Sequence, residues 1–136
     1  MKRALLWFDV AATLLLVAFA FRYGPRTVYF YAGLGLTAVA MPLWILARLQ
    51  LGRSFSVTAQ ARRLVTTGLY KHFRNPIYLF GGLAYLGALV ALQVWTLLVA
   101  WLALTPIQLV RIRNEQRVLA EAFGTEYQEY RAKTWL

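Results

Sequence analysis

The stretch that decides the fold is residues 77–110, IYLFGGLAYLGALVALQVWTLLVAWLALTPIQLV, which contains no charged side chain. A membrane span needs about 20 apolar residues, so this stretch is too long for one ordinary span and suits two short or tilted ones. Gln93 is strongly polar and lies near its middle, where we predict that the chain reverses. The stretch therefore predicts a helical hairpin with spans over about 77–92 and 94–110.

Two further apolar runs precede the hairpin, at about residues 4–21 and 27–49. At about 1.5 Å per residue, each approaches the hydrocarbon thickness of a bilayer. Between them, Gly24-Pro25 predicts a tight turn, because this pair breaks a helix. The chain therefore predicts an all-α polytopic membrane protein of about four spans in a single domain.

A cleaved signal peptide is the alternative for the first run. Lys2 and Arg3 precede it, and the Ala-Phe-Ala of residues 18–20 resembles a cleavage site. The apolar core of the run is longer than a usual signal h-region, so we favour a span.

Small residues in the apolar runs suggest packing faces. Ala84 and Ala88 are four residues apart, as are Gly87 and Ala91, and this spacing lets helix backbones approach closely. Gly33-Leu34-Gly35, inside the second run, fits packing better than nucleotide binding. The general abundance of Gly and Ala in membrane helices is the alternative explanation.

Composition supports a membrane protein and limits its chemistry. Hydrophobic residues make up 60% of the chain, against about 45–50% in soluble domains. There is no cysteine and one histidine, so we expect no disulfide and no metal site. His72 itself is expected to be an interfacial residue.

The charge of +10, from fifteen Lys and Arg against five Asp and Glu, is arranged between the apolar runs. Placing the N-terminus, residues 50–76 and the C-terminal tail on one side puts nearly all the basic residues there, with Arg22 and Arg26 opposite. The positive-inside rule then makes that side cytoplasmic. We expect the basic residues to contact lipid headgroups of the bilayer, and we expect no nucleic-acid partner.

Two polar segments, 66–78 and 113–130, adjoin the cytoplasmic end of the predicted hairpin and can meet over it. They offer aromatic faces, a guanidinium and carboxylates, which suit a cationic ligand carrying a nucleobase. The alternative is a belt of interfacial tyrosines with solvated charges. The segments read, in order: Gly68-Leu69-Tyr70; Arg74-Asn75-Pro76-Ile77-Tyr78; Glu115-Gln116-Arg117-Val118-Leu119; and Phe123-Gly124-Thr125-Glu126-Tyr127-Gln128-Glu129-Tyr130.

These patterns, in this order and across a helical hairpin, resemble the isoprenylcysteine carboxyl methyltransferase family and the related phospholipid methyltransferases. The resemblance covers about residues 60–132. Asn75 stands where many members have histidine, and Gln116 replaces the second glutamate of a Glu-Glu pair. If that glutamate contacts the ligand in relatives, this chain binds more weakly or relies on Glu115 alone.

The resemblance implies an enzyme that transfers a methyl group from S-adenosylmethionine, without a metal, to a lipophilic small molecule or lipid. Carboxylate O-methylation is favoured; amine or phospholipid N-methylation and thiol S-methylation are alternatives, and a non-enzymatic membrane scaffold or small transporter is a further one. Arg74 and Glu115 are the implied catalytic residues. The implied cofactor-binding residues are Tyr70, Arg74, Asn75, Pro76, Tyr78, Glu115, Tyr127 and Tyr130.

Two further expectations concern the first span and the cell membrane. Asp9 is ionisable within an apolar run, which makes it a functional candidate, although it lies close enough to the cytoplasmic end to reach the interface. The short chain favours a prokaryotic plasma membrane, with both termini in the cytoplasm.

Overall fold

The computed structural model describes residues 2–51 and 64–135, with side-chain surroundings from Trp7 onward. Residues 52–63, in the predicted cytoplasmic loop, lie outside the described residues. The four α-helices are α1 (Lys2–Tyr23), α2 (Val28–Leu51), α3 (Pro76–Leu92) and α4 (Trp95–Lys133), with a 3-10 turn at Gly68–Lys71. The described ranges contain no strand, and their one isolated bridge joins Phe73 to Trp135. The predicted all-α class is confirmed for this part of the chain.

Two helices, α2 and α4, are long and apolar enough to cross a membrane, whereas α3 is a shorter apolar helix. The structure therefore supports two candidate spans, and the number four stays a prediction. The apolar window of α4 has no residue buried within the chain. That exposure is expected of a helix surrounded by lipid.

Both predicted reversals are confirmed. The turn at Gly24 and Pro25 separates α1 from α2, and Gln93 ends α3 in the left-handed conformation, with φ 59°. The Gln93 side chain joins the two turns: its Nε2 donates to the Pro25 carbonyl at 2.7 Å, and its Oε1 accepts from the Thr27 hydroxyl at 2.8 Å. We call this end of the bundle the turn end.

The core forms where α1 and α2 pack on α3, and small residues allow the close approach. Ala84, Ala88 and Ala91 are fully buried, and a Cβ placed on Gly87 would lie 2.6 Å from the Gly33 carbonyl oxygen. The predicted packing faces of α3 are therefore confirmed. Gly35, by contrast, is exposed, and a Cβ placed on it would meet nothing within 4 Å, so it does not pack.

The helix α4 differs from the predicted separation of a span and a tail. It continues through the change from apolar to charged sequence and reaches Lys133, over 39 residues. The residues after 110 are rich in Arg, Glu, Gln, Leu and Ala, which favour helix in water as well as in lipid. Gly124 interrupts the helix with φ 50° and ψ −120°.

Candidate functional site

The site lies at the end of the bundle opposite the turn end, where the 3-10 turn precedes α3. We call it the motif end, defined by residues 68–78, the end of α2 and the C-terminal residues from 115 onward. Gly68 is in the left-handed region, with φ 62°. The Leu69 N–H donates to the side-chain oxygen of Gln50 at 2.8 Å, so the end of α2 holds the turn. Tyr70 is thereby buried, with 6% of its surface exposed.

Pro76 starts α3 because its fixed φ suits the first helical position and its missing N–H is not needed there. Asn75 occupies the capping position, and its carbonyl accepts from the Leu79 N–H at 3.0 Å. Its side chain makes no capping hydrogen bond. Pro76 is fully buried and Asn75 is half-buried beside it.

Tyr78 and Glu115 connect α3 to α4. The Tyr78 hydroxyl donates to Glu115 Oε1 at 2.6 Å, and Arg111 Nε approaches the same oxygen at 3.4 Å. Arg111 was not among the predicted residues, although its spacing of four from Glu115 is a helical pairing signal. The Arg111 pair is substantially exposed and contributes little to stability; the tyrosine contact is what fixes the carboxylate.

The interruption at Gly124 lets the end of α4 reach the turn that contains Tyr70. An unbroken helix of 39 residues would extend about 58 Å, far beyond the end of α3. After the break, Tyr127 and Tyr130 are both buried, and the Tyr130 hydroxyl donates to the Tyr70 carbonyl at 2.7 Å. The two predicted segments therefore do come together.

A contact that the sequence did not indicate closes the same region. The Trp135 N–H donates to the His72 carbonyl at 2.7 Å, and the Arg74 N–H donates to the Trp135 carbonyl at 2.9 Å. The side chain of His72 is exposed. Because these bonds use backbone groups, no residue type at 135 could have revealed them in advance.

Buried polar groups without partners distinguish this site. Arg74 Nε and the Tyr127 hydroxyl are buried and find no hydrogen-bond partner in the part of the chain that the structure describes. Such groups are few in native proteins and often mark a missing ligand or water. A guanidinium N–H and a phenol hydroxyl that both lack a partner can receive a polar, anionic ligand group.

The tyrosines of the site stay protonated at neutral pH. Burial and the neighbouring Tyr127 raise the pKa of Tyr130 to about 12, against a small opposing effect of Arg74. Burial also raises the pKa of Tyr127, which Arg74 and Arg131 partly oppose. These phenols are therefore hydrogen-bond donors at neutral pH.

Comparison with known proteins shows the family to which the chain belongs. Residues 28–126 match the phospholipid methyltransferase family. The chain belongs to this family. The match includes Tyr70, Arg74, Tyr78 and Glu115, and it ends one residue before Tyr127, which the structure nevertheless docks on the same site.

A similar curated protein is the protein-S-isoprenylcysteine O-methyltransferase of Schizosaccharomyces pombe (strain 972 / ATCC 24843). It is 34% identical over 118 residues, which cover 79% of this chain and 48% of the relative. The chain thus spans about half the length of the curated relative it matches. No solved structure matches significantly. The relative is a yeast protein, so the expectation of a prokaryotic source gains no support.

Membership of the phospholipid methyltransferase family makes the arrangement at the motif end chemically interpretable. Every residue predicted for the site lies in one of the two segments that the structure joins. Asp9 lies outside the family match, in α1, and contacts a different arginine, Arg48. No group of three metal-binding side chains occurs among the described residues.

Proposed function

We propose that this chain transfers a methyl group from S-adenosylmethionine to a lipophilic acceptor in the membrane, with O-methylation of a carboxylate as the favoured reaction. The observation that carries the proposal is the docking of the two motif segments through the Tyr130 hydroxyl and the Tyr70 carbonyl, together with Arg74 Nε and the Tyr127 hydroxyl, which are buried without partners among the described residues. The family match and the O-methyltransferase relative support methyl transfer as the reaction type.

The proposed topology has four spans with both termini in the cytoplasm. The hydrogen bonds of Gln93 to Pro25 and Thr27 bring both helical turns to one end, while the basic segments meet at the other. With 17 residues, α3 is about 26 Å long. It suits a span that slightly thins the bilayer.

The residues present fit the cofactor. S-adenosylmethionine supplies an activated methyl group on a positively charged sulfur, and it also carries a carboxylate, an ammonium and ribose hydroxyls. Arg74 suits a carboxylate because its guanidinium donates two parallel hydrogen bonds. Glu115, fixed by Tyr78, suits the ammonium or the ribose hydroxyls. Asn75 and Pro76 shape the wall beside them.

The chain's part in the reaction is alignment and exclusion of water. Tyr70, Tyr127 and Tyr130 are buried over the site and remain neutral. They therefore exclude water without adding a negative charge. Holding two reactants in line can supply much of the required rate acceleration. An ionised carboxylate acceptor needs no general base, so the reaction can proceed with the groups that the motif end supplies.

Calorimetric titration of the full chain with S-adenosylhomocysteine in maltoside micelles tests the proposal. We expect a micromolar Kd for the wild type, weakened by Arg74→Gln and by Glu115→Gln. Arg113→Gln and Glu121→Gln, which change exposed residues of α4, serve as matched controls. Absence of binding at millimolar ligand would favour the non-enzymatic scaffold or transporter.

Methylation of a phospholipid amine is the second candidate, favoured by the description of the matching family. Radiolabelled methyl transfer to N-acetyl-S-farnesylcysteine and to phosphatidylethanolamine separates the two. A methyl ester releases methanol in alkali, whereas an N-methyl group is stable. We expect alkali-labile label on the prenylated acid; stable label on the phospholipid alone would select the second candidate.

A further inference from the structure

A second charged cluster joins α1 to α2, outside the motif segments. Nη2 of Arg48 donates to Oδ2 of Asp9, and the Arg48 side chain is only 10% exposed. The guanidinium carbon lies 4.8 Å from the centre of the Trp44 ring and 5.9 Å from that of Trp7. Arg48 is therefore held between a carboxylate and two aromatic faces.

The partners of Arg48 are themselves fixed. The Asp9 carbonyl accepts from the Tyr85 hydroxyl at 3.1 Å, which ties α1 to α3 beside the ion pair. Trp44 packs directly on Gly81, where a Cβ would lie 2.7 Å from the indole ring. The position of the guanidinium is thus set by three helices.

Two hydrogen-bond donors of this cluster have no acceptor within the described part of the fold. Arg48 Nε and Trp44 Nε1 are buried, and neither has a hydrogen-bond partner within residues 2–51 and 64–135. A buried unsatisfied donor costs free energy, so the buried Nε of the charged Arg48 side chain invites a functional explanation. An ion pair alone would be a weak reason to retain the charge, because desolvation offsets much of its attraction.

The cluster adjoins the site described above. Gln50, two residues after Arg48, holds the turn that carries Tyr70. Burial, Tyr130 and Glu115 raise the pKa of the Tyr70 hydroxyl, while the charge of Arg48 acts on the same hydroxyl in the opposite direction. Tyr70 is therefore within electrostatic reach of both Arg48 and Glu115.

An apolar groove of about 780 Å³ lies along α1 and α2. Leu14 contributes to its wall from α1, and Ile45 and Leu49 contribute from α2, on either side of Arg48 in sequence. A hydrocarbon chain suits such a surface. An acidic headgroup suits the cation of Arg48, which lies between the groove residues Ile45 and Leu49 in the sequence of α2.

We propose that Arg48, positioned by Asp9, binds the acidic group of the lipophilic acceptor, a carboxylate or a phosphate, and that Arg74 is thereby left to the cofactor. The inference rests on the proposed function, because it assigns the acceptor side of that site. Asp9 acts through Arg48 as a positioning residue, and the Nε–H of Arg48 supplies a donor for the acid.

Binding of acceptor analogues in maltoside micelles, which carry no phosphate, tests the proposal without requiring turnover. The probes are N-acetyl-S-farnesylcysteine, its neutral methyl ester and phosphatidic acid, followed by tryptophan fluorescence, since Trp44 and Trp7 flank Arg48. We expect the wild type to bind the free acid about tenfold or more tightly than the ester, the size of a charge-assisted hydrogen bond. Preference for phosphatidic acid instead would identify a phosphate as the acidic group.

Substitution of Arg48 then tests whether this residue causes the preference for the free acid over its ester. Arg48→Gln is expected to bind acid and ester equally, with the Kd of S-adenosylhomocysteine unchanged, whereas Arg113→Gln keeps the preference. Arg48→Lys, which keeps the charge and loses the Nε–H, is expected to retain only part of it. Asp9→Asn is expected to raise the KM for the acid several-fold with little change in kcat.

Two results would overturn the inference: a wild type that distinguishes neither acid from ester nor phosphate from neutral lipid, or an Arg48→Gln protein that keeps its preference. If Arg48→Gln fails to fold, shown by loss of S-adenosylhomocysteine binding, an undiminished preference in Arg48→Lys overturns it equally. Failure of the wild type to bind S-adenosylhomocysteine, with the acid preference intact, would instead contradict the proposed function.

Discussion

The two ends of the bundle differ in whether their polar side chains have hydrogen-bond partners. At the turn end, the amide of Gln93 uses both its nitrogen and its oxygen to join Pro25 and Thr27. At the motif end and the adjoining end of α2, four buried polar atoms have no partner among the described residues: Trp44 Nε1, Arg48 Nε, Arg74 Nε and the Tyr127 hydroxyl. The turn end satisfies its own polar side chain, whereas the motif end leaves buried polar atoms without partners among the described residues.

This difference separates structure from function within one small chain. Polar groups buried in an apolar bundle are satisfied wherever they serve only to hold helices together, because leaving them unpaired is costly. A natural sequence departs from this consistency chiefly at functional sites. Substitutions at the motif end should therefore change ligand binding, whereas substitutions at the turn end should change stability alone.

The largest effect is expected for Arg74→Gln. Loss of a charge-assisted contact is worth about 1.5–3 kcal/mol, or roughly tenfold to hundredfold in Kd. Calorimetry with S-adenosylhomocysteine measures it, with Arg113→Gln as the control because Arg113 is exposed on α4. Equal affinities of the two variants would show that Arg74 does not face the cofactor.

Gly124→Ala is expected to follow. At φ 50° and ψ −120°, a side chain strains the backbone by about 1–3 kcal/mol. A Cβ there would meet nothing within 4 Å, so the effect is one of conformation and not of collision. We expect weaker docking of the last helical segment, a lower thermal midpoint and weaker cofactor binding.

Gly35→Ala is the matched control for this glycine. Gly35 also has open space around a Cβ, but it lies inside α2 with ordinary helical geometry. Alanine there should be neutral or slightly stabilising. A Gly124→Ala protein that behaved like Gly35→Ala would mean that the end of α4 reaches Tyr70 without the break.

A smaller effect is expected for Tyr130→Phe, compared with Tyr127→Phe. Removing the Tyr130 hydroxyl leaves the Tyr70 carbonyl without its donor and should cost about 1–2 kcal/mol of stability. The Tyr127 hydroxyl has no partner among the described residues, so its removal should leave stability unchanged and weaken S-adenosylhomocysteine binding. Thermal unfolding with and without ligand separates these outcomes; the reverse pattern would contradict the assignment.

The pH dependence of Tyr130 follows the same contact. Because burial raises the pKa of Tyr130 to about 12, above the ordinary value of about 10, the neutral phenol stabilises the fold fully below pH 10. That contribution is lost as the pH rises from 10 towards 12. The wild type should therefore lose stability more steeply than Tyr130→Phe over this range.

The sequence was sufficient for features encoded by local composition. The hairpin of residues 77–110, the reversals at Gly24-Pro25 and Gln93, and the meeting of the two motif segments could all be predicted. Each depends on where apolar runs begin and end, or on residues that break a helix.

Features that depend on helix rotation could not be predicted in this way. A helix that is apolar on every side gives no indication of which face meets its neighbour. The sequence therefore did not predict the pairing of Asp9 with Arg48, although both residues are charged. The backbone hydrogen bonds of Trp135 could not be predicted for another reason, because they do not depend on the type of side chain. The proposed acceptor site depends on the first of these two unpredicted contacts.

The smallest effect is expected at the turn end, for Gln93→Ala. The substitution removes two hydrogen bonds that are partly exposed to solvent, so we expect a loss of about 1 kcal/mol in stability. Gln108→Ala, on the exposed surface of α4, is the control and should cost less. The Kd of S-adenosylhomocysteine should stay within about twofold of the wild type, because the site lies at the other end of α3. If Gln93→Ala weakened cofactor binding as much as Arg74→Gln does, the two ends would be energetically coupled, and the contrast between them would fail.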